Sequence, residues 1–141
     1  MKKQVKDVMT RQVFTIDAAG TLVEAAELMR QYEVGALPVR DGTRVIGMLT
    51  DRDIVIRAVA FDRIPSGTRV AEAMTPSVVR CFDDVPVWKA LRMMEDQTVR
   101  RLVVINREQE VVGLVSYDDL AVLPPEELEP PEGEAATVLV G

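Results

Sequence analysis

The chain has 141 residues, 48% of them hydrophobic and 28% charged, which is enough for one compact domain or two small units that share a core. Five glutamates in the C-terminal tail supply most of the net charge of −6, and without them the body is near neutral, at about −1. Because no basic stripe is present, neither nucleic acid nor an anionic membrane is expected as a partner.

The first half of the chain predicts one small α/β unit. Apolar residues at helical spacing between Leu22 and Tyr32 indicate an amphipathic helix, and Asp41-Gly42 is a strong hairpin signal between two strands. The predicted order is strand, helix, strand, strand, helix, over residues 13–16, 21–32, 36–40, 44–49 and 50–61.

The second half repeats the first, so the chain is an internal duplication. Residues 5–10 (Val-Lys-Asp-Val-Met-Thr) match residues 70–75, and the match continues to about Leu123 with one extra residue in a turn. The same order of elements is predicted over residues 78–82, 87–97, 102–105, 111–115 and 116–122. The predicted domains are residues 1–61, a linker over 62–69, residues 70–123, and a Pro/Glu-rich tail over 124–141 that is expected to be disordered.

One motif appears in both repeats and has two possible roles. Residues 47–53 (Gly-Met-Leu-Thr-Asp-Arg-Asp) and 113–119 (Gly-Leu-Val-Ser-Tyr-Asp-Asp) each end a strand with a hydroxyl residue and begin a helix with a carboxylate three positions later. The free N–H groups of a helix start suit phosphate, and a carboxylate can accept two hydrogen bonds from a ribose diol. The same spacing is also that of a capping box, which only closes the helix end.

These motifs together resemble the cystathionine-β-synthase (CBS) domain, and the chain resembles a tandem CBS pair, or Bateman module, of the small stand-alone bacterial type. The resemblance rests on the opening Val-x-x-Val-Met-Thr, on residues 35–39 (Gly-Ala-Leu-Pro-Val), and on both Gly-h-h-[Thr/Ser]-x-x-Asp runs. It implies two β-α-β-β-α repeats, packed face to face with pseudo-two-fold symmetry. It also implies an adenosine-containing ligand in the cleft between the repeats.

In such a module the Asp binds the ribose hydroxyls, the Thr or Ser meets phosphate or ribose, and the base lies against strand backbone. Carried over to this chain, the first ligand-binding site consists of Thr10, Val13, Ala36, Leu37, Pro38, Thr50 and Asp53, with Arg52 facing phosphate. The second consists of Thr75, Val78, Arg101, Leu102, Ser116 and Asp119. For Arg52 and Arg101 the alternative is a solvated surface charge.

The second repeat departs from the family pattern at two positions. Arg100 stands where the first repeat has Gly35, and Val103 stands where it has Pro38. These changes either close the pocket for the base or make Arg101 a phosphate contact through charge-assisted hydrogen bonds. The pattern of the first site is therefore the stronger of the two.

The helix over residues 54–60 (Ile-Val-Ile-Arg-Ala-Val-Ala) is apolar nearly all round, unlike an ordinary surface helix. A homodimer interface explains it, as the resemblance to CBS pairs also implies. Burial between the two repeats of one chain is the alternative.

The residue inventory argues against an enzyme. The chain has no histidine, the commonest general base and usual zinc ligand, and a single cysteine, Cys81, which is expected to be a buried strand residue. Neither a phosphate-binding Gly-rich loop nor a nucleophile elbow is present. No cofactor is required, although Asp51 with Asp53, or Asp118 with Asp119, could hold Mg²⁺ beside a nucleotide phosphate.

The cysteine count and the lack of a secretory signal or a membrane-length apolar run predict a cytoplasmic, soluble protein. The predicted function is that of a homodimeric regulatory or energy-sensing module that binds AMP, ADP or ATP and acts on a partner protein. A ligand-free interaction module and an S-adenosylmethionine-binding module are the alternatives.

Overall fold

The computed structural model describes residues 2–131, which form two compact units. One unit comprises residues 13–78, and the other comprises residues 2–12 together with 79–131. Each unit contains one three-stranded sheet with helices, so the predicted mixed α/β class is confirmed. The units differ from the sequence repeats 1–61 and 70–123 because the opening segment of each repeat belongs to the unit of the other.

The unit of residues 13–78 is named the β1–β3 unit after its strands. Its strands are β1 (Ile16–Asp17), β2 (Ala36–Asp41) and β3 (Arg44–Thr50), with β2 in the centre, parallel to β1 and antiparallel to β3. Its helices are α2 (Leu22–Tyr32), α3 (Asp51–Arg57) and α4 (Val70–Ala73), with 3-10 turns at Val59–Phe61 and Pro65–Gly67.

The other unit is named the β4–β6 unit. Its strands are β4 (Arg80–Phe82), β5 (Arg101–Ile105) and β6 (Val111–Ser116), with the same order and directions. Its helices are α1 (Val5–Val8), α5 (Val87–Gln97), α6 (Tyr117–Ala121) and α7 (Pro125–Leu128).

The exchange of opening segments is fixed by backbone pairing within each unit. Thr75 exchanges two hydrogen bonds with Met48 of β3, at 2.8 and 2.9 Å, and Thr10 exchanges two with Leu114 of β6, at 2.8 and 2.9 Å. Gly47 and Gly113 permit this approach. A Cβ added at Gly47 would lie 2.6 Å from the carbonyl oxygen of Thr75, and one at Gly113 would lie 2.9 Å from that of Thr10. The motif glycines are therefore needed for packing.

The first strands are shorter than predicted, and Pro38 explains why β1 is the shorter of the two. In the β4–β6 unit the amide of Val103 donates to the carbonyl of Val79 at 3.0 Å, which begins the pairing of β4 with β5. Pro38 occupies the matching position of β2 and has no N–H to donate. Pairing of β1 with β2 consequently begins one residue later, at Ile16 with Val39.

The closing helix of the first repeat is also shorter than the predicted 50–61. It ends at Arg57, because the buried Ala58 leaves helical geometry (φ −120°, ψ −60°) and a 3-10 turn follows.

The expectation of a disordered tail was wrong for the described part, residues 124–131. Helix α7 packs against α5, and Leu128 packs on the core of the β4–β6 unit. The amide of Lys3 also donates to Glu127 Oε2 at 2.8 Å. A single leucine buried after a Pro-Glu-Glu start gives too little periodicity to predict this helix. Residues 132–141 of the predicted tail lie outside the described residues.

Candidate functional site

Both Asp residues of the repeated motif close a capping box. Asp53 N donates to Thr50 Oγ1 at 3.1 Å, and Thr50 N donates to Asp53 Oδ2 at 3.0 Å. The second copy has the same geometry, with 3.1 Å from Asp119 N to Ser116 Oγ and 2.9 Å from Ser116 N to Asp119 Oδ2. The capping role that the sequence left as an alternative is therefore present in both units.

Capping uses only one carboxylate oxygen of Asp53. The side chain of Asp53 is 10% exposed, and its other oxygen, Oδ1, lies 3.9 Å from Nη1 of Arg57 one helical turn later. Arg57 Nη1 also donates to Thr75 Oγ1 at 3.4 Å. Oδ1 and the Thr75 hydroxyl are thus two acceptors held around one guanidinium.

The predicted strand residues of the first site lie beside this cluster. Ala36 is the register partner of Thr50, so the β2 backbone runs past the motif hydroxyl. Leu37 is fully buried in the core cluster of the unit, and Pro38 is buried as well. These two residues can therefore offer a ligand their backbone but not a free side chain. Val13 is half-buried ahead of β1.

In the β4–β6 unit the matching strand position is Arg101, which is exposed and is the register partner of Ser116. Leu102 is buried in the core cluster, as Leu37 is in the other unit. Arg100 is exposed too, and its guanidinium lies 4.6 Å from the centre of the Tyr117 ring and donates to Asp118 at 3.4 Å. This cation–π and ionic contact covers the start of α6.

The exchanged opening segments regroup the predicted residues. Thr75 and Val78 were assigned with the second site, but they belong to the unit that contains Thr50 and Asp53. Thr10 was assigned with the first site, but it belongs to the unit that contains Ser116 and Asp119, and it is exposed. Aligning the two repeats does not reveal this regrouping, because the alignment does not tell which sheet each opening segment pairs with.

The charge beside the motif differs between the units. At the start of α3 the exposed Arg52 precedes Asp53, whereas Asp118 precedes Asp119 at the start of α6. Arg52 thus lies on the helix of one unit, whereas Arg101 lies on the strand of the other, as the register partner of Ser116.

Sequence reasoning missed two features beside the repeated motifs. One is Arg57, whose position four residues after Asp53 on a helix was a usable signal. The other is the contact between Arg100 and Tyr117, which depends on the adjacency of the β5 start and the α6 start. An open groove of about 500 Å³ lies next to it, lined by Met94, Glu95, Thr98, Val99, Arg100 and Tyr117. None of the predicted ligand residues lines this groove.

Cys81 is buried in β4, as predicted, and burial raises the pKa of its thiol to about 12, with a further contribution from the charge of Asp83. The thiol is thus protonated at neutral pH, which disfavours a redox role.

Among residues 2–131 no three or more His, Cys, Asp or Glu side chains come together as a metal-binding group. In the same part of the chain, no helix has both the length and the apolar character needed to cross a membrane.

The family model for the CBS domain matches this chain twice, at residues 5–59 and 70–125. The chain belongs to the CBS domain family. The CBS domain-containing protein YhcV of Bacillus subtilis is 41% identical over 118 residues, which is 84% of this chain and 83% of YhcV. Hypoxic response protein 1 of Mycobacterium tuberculosis is 37% identical over 117 residues, 82% of this chain and 81% of that protein.

Solved CBS structures share the fold. The crystal structure of Hypoxic response protein 1, with two coordinated zinc ions, has a TM-score of 0.72 and 35% identity over 86% of this chain and 100% of its own. The CBS pair of protein MJ0100, in complex with 5′-methylthioadenosine and S-adenosyl-L-methionine, has a TM-score of 0.74 over 86% of this chain and 94% of its own. At 24% identity, the latter likeness shows the fold alone.

Proposed function

We propose that this CBS pair is a non-enzymatic regulatory module that binds an adenine nucleotide through the Asp53 site and transmits occupancy to a partner protein. The observation that carries the proposal is the buried Asp53, which keeps one carboxylate oxygen beyond its capping bond. The capping bond uses Oδ2 alone. The other oxygen, Oδ1, and the hydroxyl of Thr75 both lie beside Arg57, and helix capping does not require that arrangement. That arrangement suits a ribose diol.

The missing hydrogen bond at Pro38 supports the same site. In the β4–β6 unit the carbonyl of Val79 is taken by Val103 N–H, so that stretch of backbone is committed to the sheet. The matching carbonyl, that of Phe14, receives no such bond from Pro38. The half-buried backbone around Val13 and Phe14 is therefore suited to an adenine edge, which needs backbone donors and acceptors.

Arg52 is the group that would meet the phosphates at the Asp53 site. It lies exposed on the first turn of α3, where its guanidinium can form charge-assisted hydrogen bonds to phosphate oxygens. Mg²⁺ beside the phosphates would find a carboxylate in Asp51, because the two oxygens of Asp53 serve the capping box and the ribose. At the Asp119 site, Arg100 occupies the position of Gly35, and its guanidinium contacts the ring of Tyr117. We therefore expect weaker binding there, with Arg101 as the phosphate contact.

S-adenosylmethionine is the second candidate ligand, because the MJ0100 pair holds it together with 5′-methylthioadenosine. Its sulfonium is cationic, so binding would gain nothing from Arg52. Zinc is not carried over from Hypoxic response protein 1, since this chain contains no histidine.

A ligand-free interaction module remains the second candidate function, since both motif carboxylates do cap helices. Either function fits a homodimer. Five apolar side chains between residues 55 and 64 of the β1–β3 unit are 42 to 74% exposed in the chain, which leaves them for a partner surface. They are Val55, Ile56, Val59, Phe61 and Ile64.

Calorimetric titration of AMP, ATP and S-adenosylmethionine into the full chain tests the proposal. We expect micromolar binding of AMP or ATP that Asp53→Ala abolishes and Asp119→Ala largely retains. The two variants are matched, because each removes one capping box of equal geometry. Absence of heat with every ligand would instead make the protein an interaction module. Equal affinity of wild type and Arg52→Ala for S-adenosylmethionine, without nucleotide binding, would identify that ligand.

A further inference from the structure

Arg57 lies in the last turn of α3 and joins three elements of the β1–β3 unit. Its Nη1 atom donates to the carbonyl oxygens of Ala73 at 3.1 Å and Met74 at 2.9 Å, at the end of α4. The same atom contacts the Thr75 hydroxyl and, at 3.9 Å, Asp53 Oδ1. The two N–H groups of this one atom are therefore shared between the C-terminal carbonyls of α4 and the polar groups of the Asp53 site.

These contacts matter because Thr75 reaches the site from a distant part of the sequence. Backbone pairing with Met48 fixes the position of its main chain but not the rotamer of its side chain. A hydroxyl rotates freely unless a partner holds it. Arg57 is that partner for the Thr75 hydroxyl. Attraction to the same guanidinium restrains Asp53 Oδ1, the oxygen that the capping box does not use.

The second repeat provides an internal comparison. Counting from the matched Asp53 and Asp119, the position of Arg57 corresponds to Leu123. Leu123 is half-buried and packs against the core cluster of the β4–β6 unit. The capping box is thus retained in both units, whereas the guanidinium behind it occurs in one. A group needed only for the fold of the repeat would be expected in both.

We propose that Arg57 is a positioning residue of the Asp53 site, which orients the Thr75 hydroxyl and Asp53 Oδ1 toward the ribose of the bound nucleoside. The inference rests on the proposed function and names the residue that makes this site the working one. Arg57 acts through Asp53 and Thr75, and it makes no contact with the phosphates. Its removal should consequently weaken all adenosine compounds alike, whatever their number of phosphates.

The test measures the affinities of adenosine, AMP and ATP for full-length wild type, Arg57→Leu, Arg57→Lys and Arg52→Ala. Arg57→Leu copies the second repeat and should weaken all three ligands by the same factor, roughly tenfold, as expected for a lost charge-assisted hydrogen bond. Arg57→Lys keeps a donor and a positive charge and should recover most of that loss. Arg52→Ala is the matched control from the same helix, and its effect should increase from adenosine to ATP.

Three results would overturn the assignment. An Arg57→Leu defect that increases with phosphate number would make Arg57 a direct phosphate contact. A lowered melting temperature with unchanged affinity of the folded protein would make it purely structural, and Arg57→Lys allows this comparison even if Arg57→Leu folds poorly. Failure of the wild type to bind any adenosine compound would overturn the proposed function and, with it, this inference.

Discussion

The two units have the same strands and the same capping box, yet the residues around the box differ. In the β1–β3 unit, Gly35 has no side chain beside the helix start, and Arg52 and Arg57 add positive charge. In the β4–β6 unit, Arg100 lies over Tyr117 at the matching place. The shared residues close the two helix starts, whereas the differing residues change the charge and the space beside them. A duplicated unit can thus keep its architecture while the surroundings of the repeated motif change.

The ends of the units differ as well. The β1–β3 unit continues from α3 into turns that expose large apolar side chains, of which Phe61 is 74% exposed. In the β4–β6 unit the chain continues into α7, which packs against α5 and places Leu128 on the core. The β1–β3 unit therefore presents five exposed apolar side chains between residues 55 and 64, whereas the other unit packs α7 on its core and exposes Val122.

The glycines under the exchanged segments should show the largest effect on stability. Gly47→Ala places a Cβ 2.6 Å from the backbone oxygen of Thr75, so the whole segment must move. We expect the free energy of unfolding to fall by about 2 kcal/mol or more, measured by urea denaturation. Gly113→Ala should cost less, because the backbone oxygen that its Cβ would meet, that of Thr10, is farther away at 2.9 Å, and the nearer atom is the flexible Met9 Sδ.

Gly67→Ala is the matched control for this comparison, since nothing lies within 4 Å of its added Cβ. It should change the free energy of unfolding by no more than about 0.5 kcal/mol. If Gly47→Ala were equally mild, the pairing of Met48 with Thr75 would not hold the segment in place.

The unequal apolar exposure predicts which unit mediates self-association. Val59→Glu places a charge among the exposed apolar side chains of the β1–β3 unit and should weaken the proposed homodimer at least tenfold, by about 1.4 kcal/mol. Val122→Glu introduces the same charge at a position 82% exposed in the other unit and should leave the dimer intact. Light scattering of eluting protein over a concentration series measures both. Dissociation by Val122→Glu alone would assign the interface to the β4–β6 unit.

Leu128 allows a smaller test of the covered unit. Leu128→Ala removes a half-buried side chain from the core and should lower the free energy of unfolding by about 1 kcal/mol, less than a fully buried leucine would. Val122→Ala changes an exposed side chain and serves as the control. An equal effect of the two substitutions, measured by urea denaturation, would show that α7 contributes nothing to the core.

The sequence allowed the repeat, the central hairpins and the longer helices to be predicted, because each depends on local periodicity or turn residues. It did not allow the exchange of opening segments to be predicted. Helices α1 and α4 have only four residues each, too few for a periodic pattern, and their sheet is chosen by tertiary pairing. The partnership of Thr75 with Asp53 follows from that pairing.

The capping boxes were predictable as a spacing, but their role was not. Thr50 and Asp53 give the same three-residue spacing whether they cap a helix or bind a ligand, and the structure shows the capping bonds. The start of β1 likewise depended on Pro38, whose missing N–H acts on a strand more than twenty residues away.

The smallest effect concerns two exposed ion pairs, one in each unit. A hydrogen bond from Arg69 N at 2.8 Å and another from Arg63 lower the pKa of Glu72 below its ordinary 4.5. The bidentate Arg107, at 2.7 and 2.9 Å, lowers the pKa of Asp84 below its ordinary 3.8.

A carboxyl whose pKa is depressed by folding stabilises the protein above its unfolded-state pKa, and this contribution is lost as the pH falls through the folded-state pKa. Stability should therefore decline below pH 4.5 through Glu72 and below pH 3.8 through Asp84. Glu72→Gln should flatten the first part of that decline and Asp84→Asn the second, in urea titrations at pH 3 to 6, a range set by roughly one unit around these values. Because both groups are exposed, the changes should be small and should shrink at high salt. Arg63→Gln should reduce the loss of stability through Glu72 only in part, since the hydrogen bond from Arg69 N remains. If stability fell equally steeply with pH in Glu72→Gln and in wild type, other carboxyls would control the loss of stability in acid.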